Sequence, residues 1–381
     1  MSTFYFDNNA TTRVLPAVLE AMLPWFSEQY GNASSSHHLG QHAKAALVAA
    51  RSAVATFLGA SPAEVVFTSG ATESSQMAIL GALAADPARR RIVTSAVEHS
   101  STLRLLAHLA TQGVEVVQVP VKPSGELDLA ALADAITDDT ALVTLMHANN
   151  ETGVLFPIAE AAAMAHAKGA LFHTDAAQSA GKIALDVRQL GCDLLSFSGH
   201  KLHAPKGVGV LFVHKGLALQ PLIHGHQERN RRGGTENQTG IVGLGVACRL
   251  AQEYLARHAD QVGALRDRLQ NGLLARLPFA TVNGNAARVP NTCSLSFPGL
   301  HGEELLHRLD QAGVVASQGS ACTASGTEPS HVLLAMGLSR DQALSSVRFS
   351  LSRETSAAEV DMVVETMAAV VKAMTALPVA A

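Results

Sequence analysis

The sequence predicts an α/β protein with a mostly parallel sheet flanked by helices, and three observations predict it. Short runs rich in β-branched and apolar residues recur at 65–67, 92–95, 114–119, 141–147, 170–174, 194–197 and 208–213. Most are separated by amphipathic stretches of roughly ten or more residues, such as 100–112 and 157–168, which is the spacing of βαβ units. Hydrophobic residues make up 48% of the 381-residue chain and charged residues only 16%, enough apolar side chain to cover a large buried core.

Each element has its own signal. Ala43, Ala46, Leu47, Ala50, Val54, Phe57 and Leu58 recur at the helical period, so 41–58 is a helix, closed by Gly59. A second helix opens near Thr72, after the 65–67 strand. The Ala-rich stretches 130–135 and 161–163 are helix formers rather than linkers. After about residue 250 the pattern changes to a long helix running through Leu274. Separate strands follow at 292–297, 314–317 and 346–351, then a last helix near 357–374. Short strands between helices describe a smaller α+β unit.

Composition excludes several classes of function. The chain carries 28 basic and 32 acidic residues, and its largest basic groups are Arg89 to Arg91 and Arg229, Arg231 and Arg232. That is no stripe for tracking phosphates, so nucleic acid is not an expected partner. No run reaches the roughly 18 apolar residues of a membrane span, and MSTFYFDNNATT has neither a basic nor an apolar leader region, so no membrane association and a cytoplasmic location are expected. Cys192, Cys248, Cys293 and Cys322 form no CxxC pair, and the 17 histidines sit mostly alone, so no metal site is expected.

Three strand ends carry chemistry. Thr68-Ser69-Gly70-Ala71-Thr72-Glu73 follows a strand and opens a helix, which presents backbone N–H groups to a phosphate. Alone, it fits equally an ordinary βα turn with Thr72 as N-cap and Glu73 complementing the dipole. Asp175, in His173-Thr174-Asp175-Ala176-Ala177-Gln178, stands where open α/β sheets bind ligands, and alone it could simply cap the next helix. Ser198-Gly199-His200-Lys201 follows about one βα unit later, again at the end of a strand, and a lysine in such a small-residue turn is poorly explained by solubility. A partly desolvated amine can form a Schiff base with an aldehyde. Phosphate turn, strand-end Asp and strand-end Lys together describe a site for pyridoxal 5'-phosphate (PLP), with Asp on the pyridinium nitrogen and Lys on the aldehyde.

With these residues in view, the chain resembles the cysteine desulfurases of the NifS/IscS type, in the class V aminotransferase group of PLP enzymes. Matching blocks run almost end to end, in order: 6–12, 31–37, 68–74, 98–100, 148–153, 173–178, 198–207, 234–237, 317–322 with 328–331, and 347–350. The resemblance implies the PLP fold-type I: a large domain at 16–250 around a seven-stranded sheet, a small domain from 1–15 and 251–381, and a homodimer. It implies that Lys201 binds the cofactor covalently, Asp175 bonds its ring nitrogen, and His99 stacks on the ring and assists proton transfer. Asn150 and Gln178 would bond its phenolic oxygen and the surroundings. Ala71, Thr72, Ser198, Gly199 and His200 would hold the phosphate, with Thr235 reaching it from the partner subunit. Arg348, with Asn150 beside it, would bind the substrate carboxylate, for which a guanidinium fork is suited; a structural salt bridge is its other reading.

Cys322 separates a desulfurase from an ordinary aminotransferase. Its setting, 317–326, is a run of small, mostly polar residues that predicts an exposed, mobile loop, about 317–327 in extent. Cys192, Cys248 and Cys293 lie in apolar contexts and are expected to be buried hydrophobes. A thiolate at Cys322 can take the sulfur of L-cysteine, leaving L-alanine and an enzyme persulfide for an acceptor such as an iron–sulfur cluster scaffold. Selenocysteine lyase activity, another PLP-dependent transfer, or a sulfur-transfer platform without turnover are the other readings on the same scaffold. Two departures from the family pattern stand out: His224 and His226 occupy positions where glycines are usual, and Ser74-Ser75-Gln76 replaces Ser-Asn-Asn. The first lies on the approach to Thr235.

Overall fold

The computed structural model describes residues 3–258, 260–319 and 328–376. β1 (Phe4–Tyr5) stands apart from the main sheet. The sheet consists of β2 (Val65–Thr68), β3 (Arg91–Ser95), β4 (Glu115–Val119), β5 (Thr140–Met146), β6 (Leu171–Asp175), β7 (Leu194–Ser198) and β8 (Gly209–Val213). Its strand order is β2-β8-β7-β6-β5-β3-β4, with β8 antiparallel to both neighbours and every other pair parallel. β5, β7 and β8 are buried along their whole length, as strands covered by helices on both faces must be. Their continuous apolar runs, rather than alternation, made them legible as interior strands.

Register sets the site. Thr68 and Ser198 both pair with Gly209, and Asp175 pairs with Met146 and Ser196. The ends of β2, β7, β6 and β5 therefore form a row along one edge of the sheet. Gly209 makes this row possible: a Cβ there would lie 2.5 Å from Gly70 Cα, so any side chain would push away the turn that follows β2.

β9 (Thr281–Val282), β10 (Thr292–Ser296) and β12 (Ser346–Ser350) form a second, antiparallel sheet, and β11 (Val314–Val315) pairs in parallel with β1. A separate cluster of buried side chains joins them, with Phe6, Leu273, Leu295, Phe297, Phe349 and Met367 at its centre. Burial of Phe349 alone is worth about 3–5 kcal/mol against alanine.

The structure corrects several expectations. The helix extending through 274 is two helices, Gln238–His258 and Gln261–Arg276. Thr72 is not an N-cap: the helix is Ala71–Ala85, and Gly70 takes the cap position without contributing a side-chain hydrogen bond. The helix placed at 41–58 begins at His38, where His37 Nδ1 accepts from the Gly40 amide. Val332, Leu333, Met336 and Ala343 pack into the core of the large sheet, so a division at residue 250 does not describe this stretch: the chain returns to the first core there. Ser317, expected to open a mobile loop, is held to Arg348 by a pair of backbone hydrogen bonds. Among the described residues no helix is long and apolar enough to cross a membrane.

Candidate active site

A cavity of about 530 Å³ opens at the row of strand ends. Ala71, Thr72, His99, Asn150, Asp175, Gln178, Ser198, His200 and Lys201 all line it, although they come from five separate segments. Gly199 does not line it; it is buried against Val208, Ala204 and Leu244, and its N–H donates to Val208 O. Thr235 lines a separate, smaller cavity that shares Ser69 and Gly207 with the main one. Cys322 lies outside the described residues.

One end of the cavity is built for an anion. The first turn of Ala71–Ala85 carries amides without intrahelical partners, and no side chain caps them. Ser198, His200 and Lys206 stand beside it, and His200 Nδ1 is 3.1 Å from Thr11 Oγ1. Burial, with Lys201 and Lys206 nearby, lowers the His200 pKa to about 4, so at neutral pH it is an uncharged partner. Glu73 does not oppose the anion directly, because its carboxylate is held by Arg232 at 3.0 Å and by the Ser69 amide at 2.8 Å.

The deep wall carries paired charges. Asp175 ends β6 and accepts from the Ala177 amide at 2.8 Å. Burial raises its pKa, while that hydrogen bond, His99 and Lys201 draw it down. Lys201 Nζ donates to the carbonyls of Asn9 and Ala10, which orient the amine. His99 caps the helix Ser100–Thr111 with Nδ1, which accepts from the Ser101 amide at 3.2 Å. That bond leaves the ring proton on Nε2. Burial foremost, and then Lys201 and His331, lower the His99 pKa against the pull of Asp175.

A second cavity of about 260 Å³ adjoins the first and shares His99, Asn150, Gln178 and Lys201 with it. Arg348, buried, lines it: Nη2 pairs with Asp7 at 2.7 Å, Nη1 donates to Asn150 O and Gly319 O, and Nε is buried without a partner. The salt bridge expected as the other reading of this arginine is therefore present, and a carboxylate entering the cavity would have to exchange with one of these partners. Gly319 and Glu328, the described residues on either side of 320–327, also line this cavity.

Three titratable groups escaped the sequence argument, two of them buried carboxyls. Glu98 Oε1 accepts from Ser95 Oγ at 2.6 Å and the Met146 amide at 3.0 Å; burial, with the Asp175 charge adding, pushes its carboxyl up to about 8. Glu151 takes a hydrogen bond from Ser330 Oγ, and burial raises its pKa too. Lys182 lies behind Gln178. The blocks around 98–100 and 148–153 were visible, but nothing in a linear sequence tells a buried carboxylate from a solvated one. Below Asp175, His173 bridges Thr144 and Ser196 and is kept neutral by burial, its pKa near 3. Cys192, Cys248 and Cys293 are buried, and burial raises all three thiols, Cys192 and Cys293 to about 12.

Such a cavity suits a phosphorylated aromatic aldehyde: an anion at the helix terminus, a ring nitrogen at Asp175 and a carbonyl carbon at Lys201. The comparisons with known proteins agree. The family model described as aminotransferase class-V matches residues 4–363. A cysteine desulfurase of Gluconacetobacter diazotrophicus is 50% identical over 375 residues, covering 97% of this chain and 94% of that protein. The cysteine desulfurase NifS of Azotobacter vinelandii is 48% identical over 367 residues, covering 96% and 91%. Among solved structures, a NifS-like protein superposes with a TM-score of 0.91 at 38% identity, covering 97% of this chain and 99% of that one.

Proposed function

The chain belongs to the class-V aminotransferase family, and on that premise we propose that it is a PLP-dependent cysteine desulfurase that forms L-alanine from L-cysteine and leaves the sulfur on Cys322 as a persulfide. The observation that carries the reading is the convergence of Lys201, Asp175 and His99 in one cavity with the uncapped first turn of Ala71–Ala85. PLP, when bound, supplies the electron sink through which bonds of an amino acid are broken.

The residues divide the remaining work. Ala71, Thr72, Ser198 and His200 would hold the phosphate, and Asp175, from a buried wall, would pair with the ring nitrogen. Lys201, aimed by the carbonyls of Asn9 and Ala10, is the amine that carries the cofactor and takes up the substrate's proton at Nζ. His99, with Nδ1 pinned, exchanges its proton at Nε2. Arg348 would bind the substrate carboxylate by exchanging one of its present partners, Asp7 on Nη2 or the carbonyls on Nη1; the Asp7 pair shows that the guanidinium takes a carboxylate. Asn150 and Gln178 border both cavities and orient what lies between them.

Cys322 takes its role from the family resemblance, which the positions of Gly319 and Glu328 on the cavity lined by Arg348 support. Its thiolate attacks the substrate sulfur, the C–S bond breaks as the S–S bond forms, and a proton completes the methyl group of alanine. No oxidant is consumed. The remaining thiols, buried and raised in pKa, are unsuited to this. The persulfide sulfur passes to an acceptor protein, such as an iron–sulfur cluster scaffold, in the cytoplasm. The two buried clusters support a large domain around 16–250 and a small one from 1–15 and much of 251–381. The molecule is a homodimer in which Thr235 completes the partner's phosphate site.

The test is direct. The PLP-loaded protein given L-cysteine should release alanine, and brief exposure should add one sulfur to the peptide containing Cys322, seen by mass spectrometry. Absence of alanine, or the sulfur on Cys192, Cys248 or Cys293, overturns the reading.

A further inference from the structure

Behind the cavity lies a lysine that none of the chemistry above uses. Lys182 Nζ donates to Gln178 Oε1 at 2.5 Å and to Asn9 Oδ1 at 2.7 Å. Gln178 Nε2 in turn donates to Asn9 O at 2.9 Å, the carbonyl that also receives Lys201 Nζ. Lys182, Gln178 and Asn9 thus close a ring of hydrogen bonds whose Gln178 member lines the active cavity, while Lys182 lines a different cavity on the far side. The turn that returns Lys182 to Gln178 is held by Gly181, at φ +76°, where a Cβ would lie 2.8 Å from the Cβ of Leu202.

This arrangement is costly for an amine. Its end is buried, no carboxylate among the described residues lies within ion-pair distance, and the charged groups acting on it, Lys201 and Arg348, are both cationic. His203 and Arg353 line the same rear cavity.

What it does follows from its donor inventory. A lysine amine fully committed as donor offers these neighbours N–H groups, so both facing amides must present oxygen. Gln178 is thereby fixed with Oε1 toward Lys182 and its NH₂ toward the active side. One N–H is committed to Asn9 O, and the second is left for a group bound in the cavity. We propose that Lys182 is a positioning residue that holds Gln178 in the donor-forward orientation, so that its amide donates to the phenolic oxygen of bound PLP. The proposal rests on the PLP reading above and adds the residue that makes Gln178 a donor instead of an acceptor. Without it, the glutamine amide could turn and set an oxygen against an oxyanion.

The experiment reads the cofactor and not turnover. A donor on the phenolic oxygen favours the form of the bound cofactor that has lost its proton, so removing that donor moves the pH midpoint of the visible absorption band upward. The PLP-loaded protein is titrated as wild type, Lys182→Met, Gln178→Leu and the double variant. Lys182→Met and Gln178→Leu should each raise the midpoint by about half a unit to one unit, the worth of one hydrogen bond. The double variant should shift no further than Gln178→Leu alone, and Lys182→Arg, which also only donates, should keep the wild-type midpoint. Should Lys182→Met fail to fold, Lys182→Leu is read in its place, because it too offers no N–H to Gln178. An unchanged midpoint in the Lys182 variant overturns the proposal, and so do shifts that add in the double variant, which would mean that Lys182 acts by its charge alone. A wild-type protein that takes up no PLP and shows no visible band defeats the PLP reading itself, an outcome distinct from a loaded protein whose midpoint ignores Lys182.

Discussion

At the scale of single residues, the chemistry depends on which groups hold protons and which thiol is accessible. Replacing Cys322 with Ser leaves Lys201, Asp175 and Arg348 in place, so the variant should bind PLP and keep the colour change on adding cysteine. It should lose release of alanine and sulfide by several orders of magnitude, because a serine alkoxide is scarcely populated near neutrality. Absorbance and alanine assays on the same sample check both halves. Glu98 makes a prediction of the opposite kind, about stability. Burial raises its folded-state pKa to about 8 from an ordinary 4.5. The unfolded chain therefore releases this proton first as pH rises. The stability linked to Glu98 is complete below about pH 4.5 and is lost as pH climbs through 8. Glu98→Gln, which imitates the protonated form, should gain on the wild type between pH 5 and pH 9, by an amount on the order of a few kcal/mol. Urea denaturation of the cofactor-free proteins at both pH values measures it, and a difference that does not change with pH would contradict the assignment.

At the scale of elements, the site is a consequence of register, and Gly209 is the position where register can be tested. Gly209→Ala places a methyl group against the backbone of Gly70, so the turn before Ala71–Ala85 must move. The expected result is a stability loss of about 1–3 kcal/mol together with weaker PLP binding, read by thermal unfolding and by titration of the cofactor-free protein. The strands were legible because interior strands of a parallel sheet are short runs rich in apolar and β-branched residues, and each of the seven expected runs became a strand within a residue or two. Asp175 and Lys201 were legible for the same reason, since chemistry-bearing residues at the ends of such runs have few structural uses. The errors have physical causes as well. Thr72 looked like a cap because threonine commonly is one, but the turn leaves its first amides uncapped, as an anion site requires. The helix through 274 was broken by no proline or glycine at the break, so periodicity carried across it. Asp7 and Arg348 meet across 341 residues of chain, and Lys182 meets Asn9 across 173, distances over which no local pattern operates.

At the scale of the whole molecule, two features of the surface bear on the proposed homodimer. Leu19, Leu23, Phe26 and Tyr30 are 47%, 55%, 65% and 71% exposed. Leu19 and Phe26 lie in the consecutive helices Pro16–Met22 and Pro24–Ser27, Leu23 joins the two and Tyr30 follows them, so four exposed apolar side chains fall within twelve residues of chain. The segment before Thr235 is also built for rigidity: Glu228, Arg229 and Asn230 all adopt left-handed backbone, and Glu228 is anchored by Arg51 at 2.6 Å and by the Phe67 amide at 2.9 Å. Left-handed conformations in three successive non-glycine residues persist only where their surroundings enforce them. A fixed segment can present Thr235 to another molecule, whereas within its own chain Thr235 stays outside the main cavity. A mixing experiment decides whether it does. Lys201→Ala cannot hold the cofactor, and Thr235→Ala should bind it weakly, so each homodimer is inactive at limiting PLP. In a mixed dimer, the site whose own chain carries Lys201 receives Thr235 from the Lys201→Ala chain and is intact. Random exchange of subunits should therefore restore about a quarter of the wild-type sites. Desulfurase activity after denaturing and refolding the mixture should rise to that level from the near-zero activity of either parent. If the mixture stays as inactive as its components, Thr235 serves its own chain, and the link from the Glu228 anchor to the phosphate must run within one subunit, through Arg232 and Glu73.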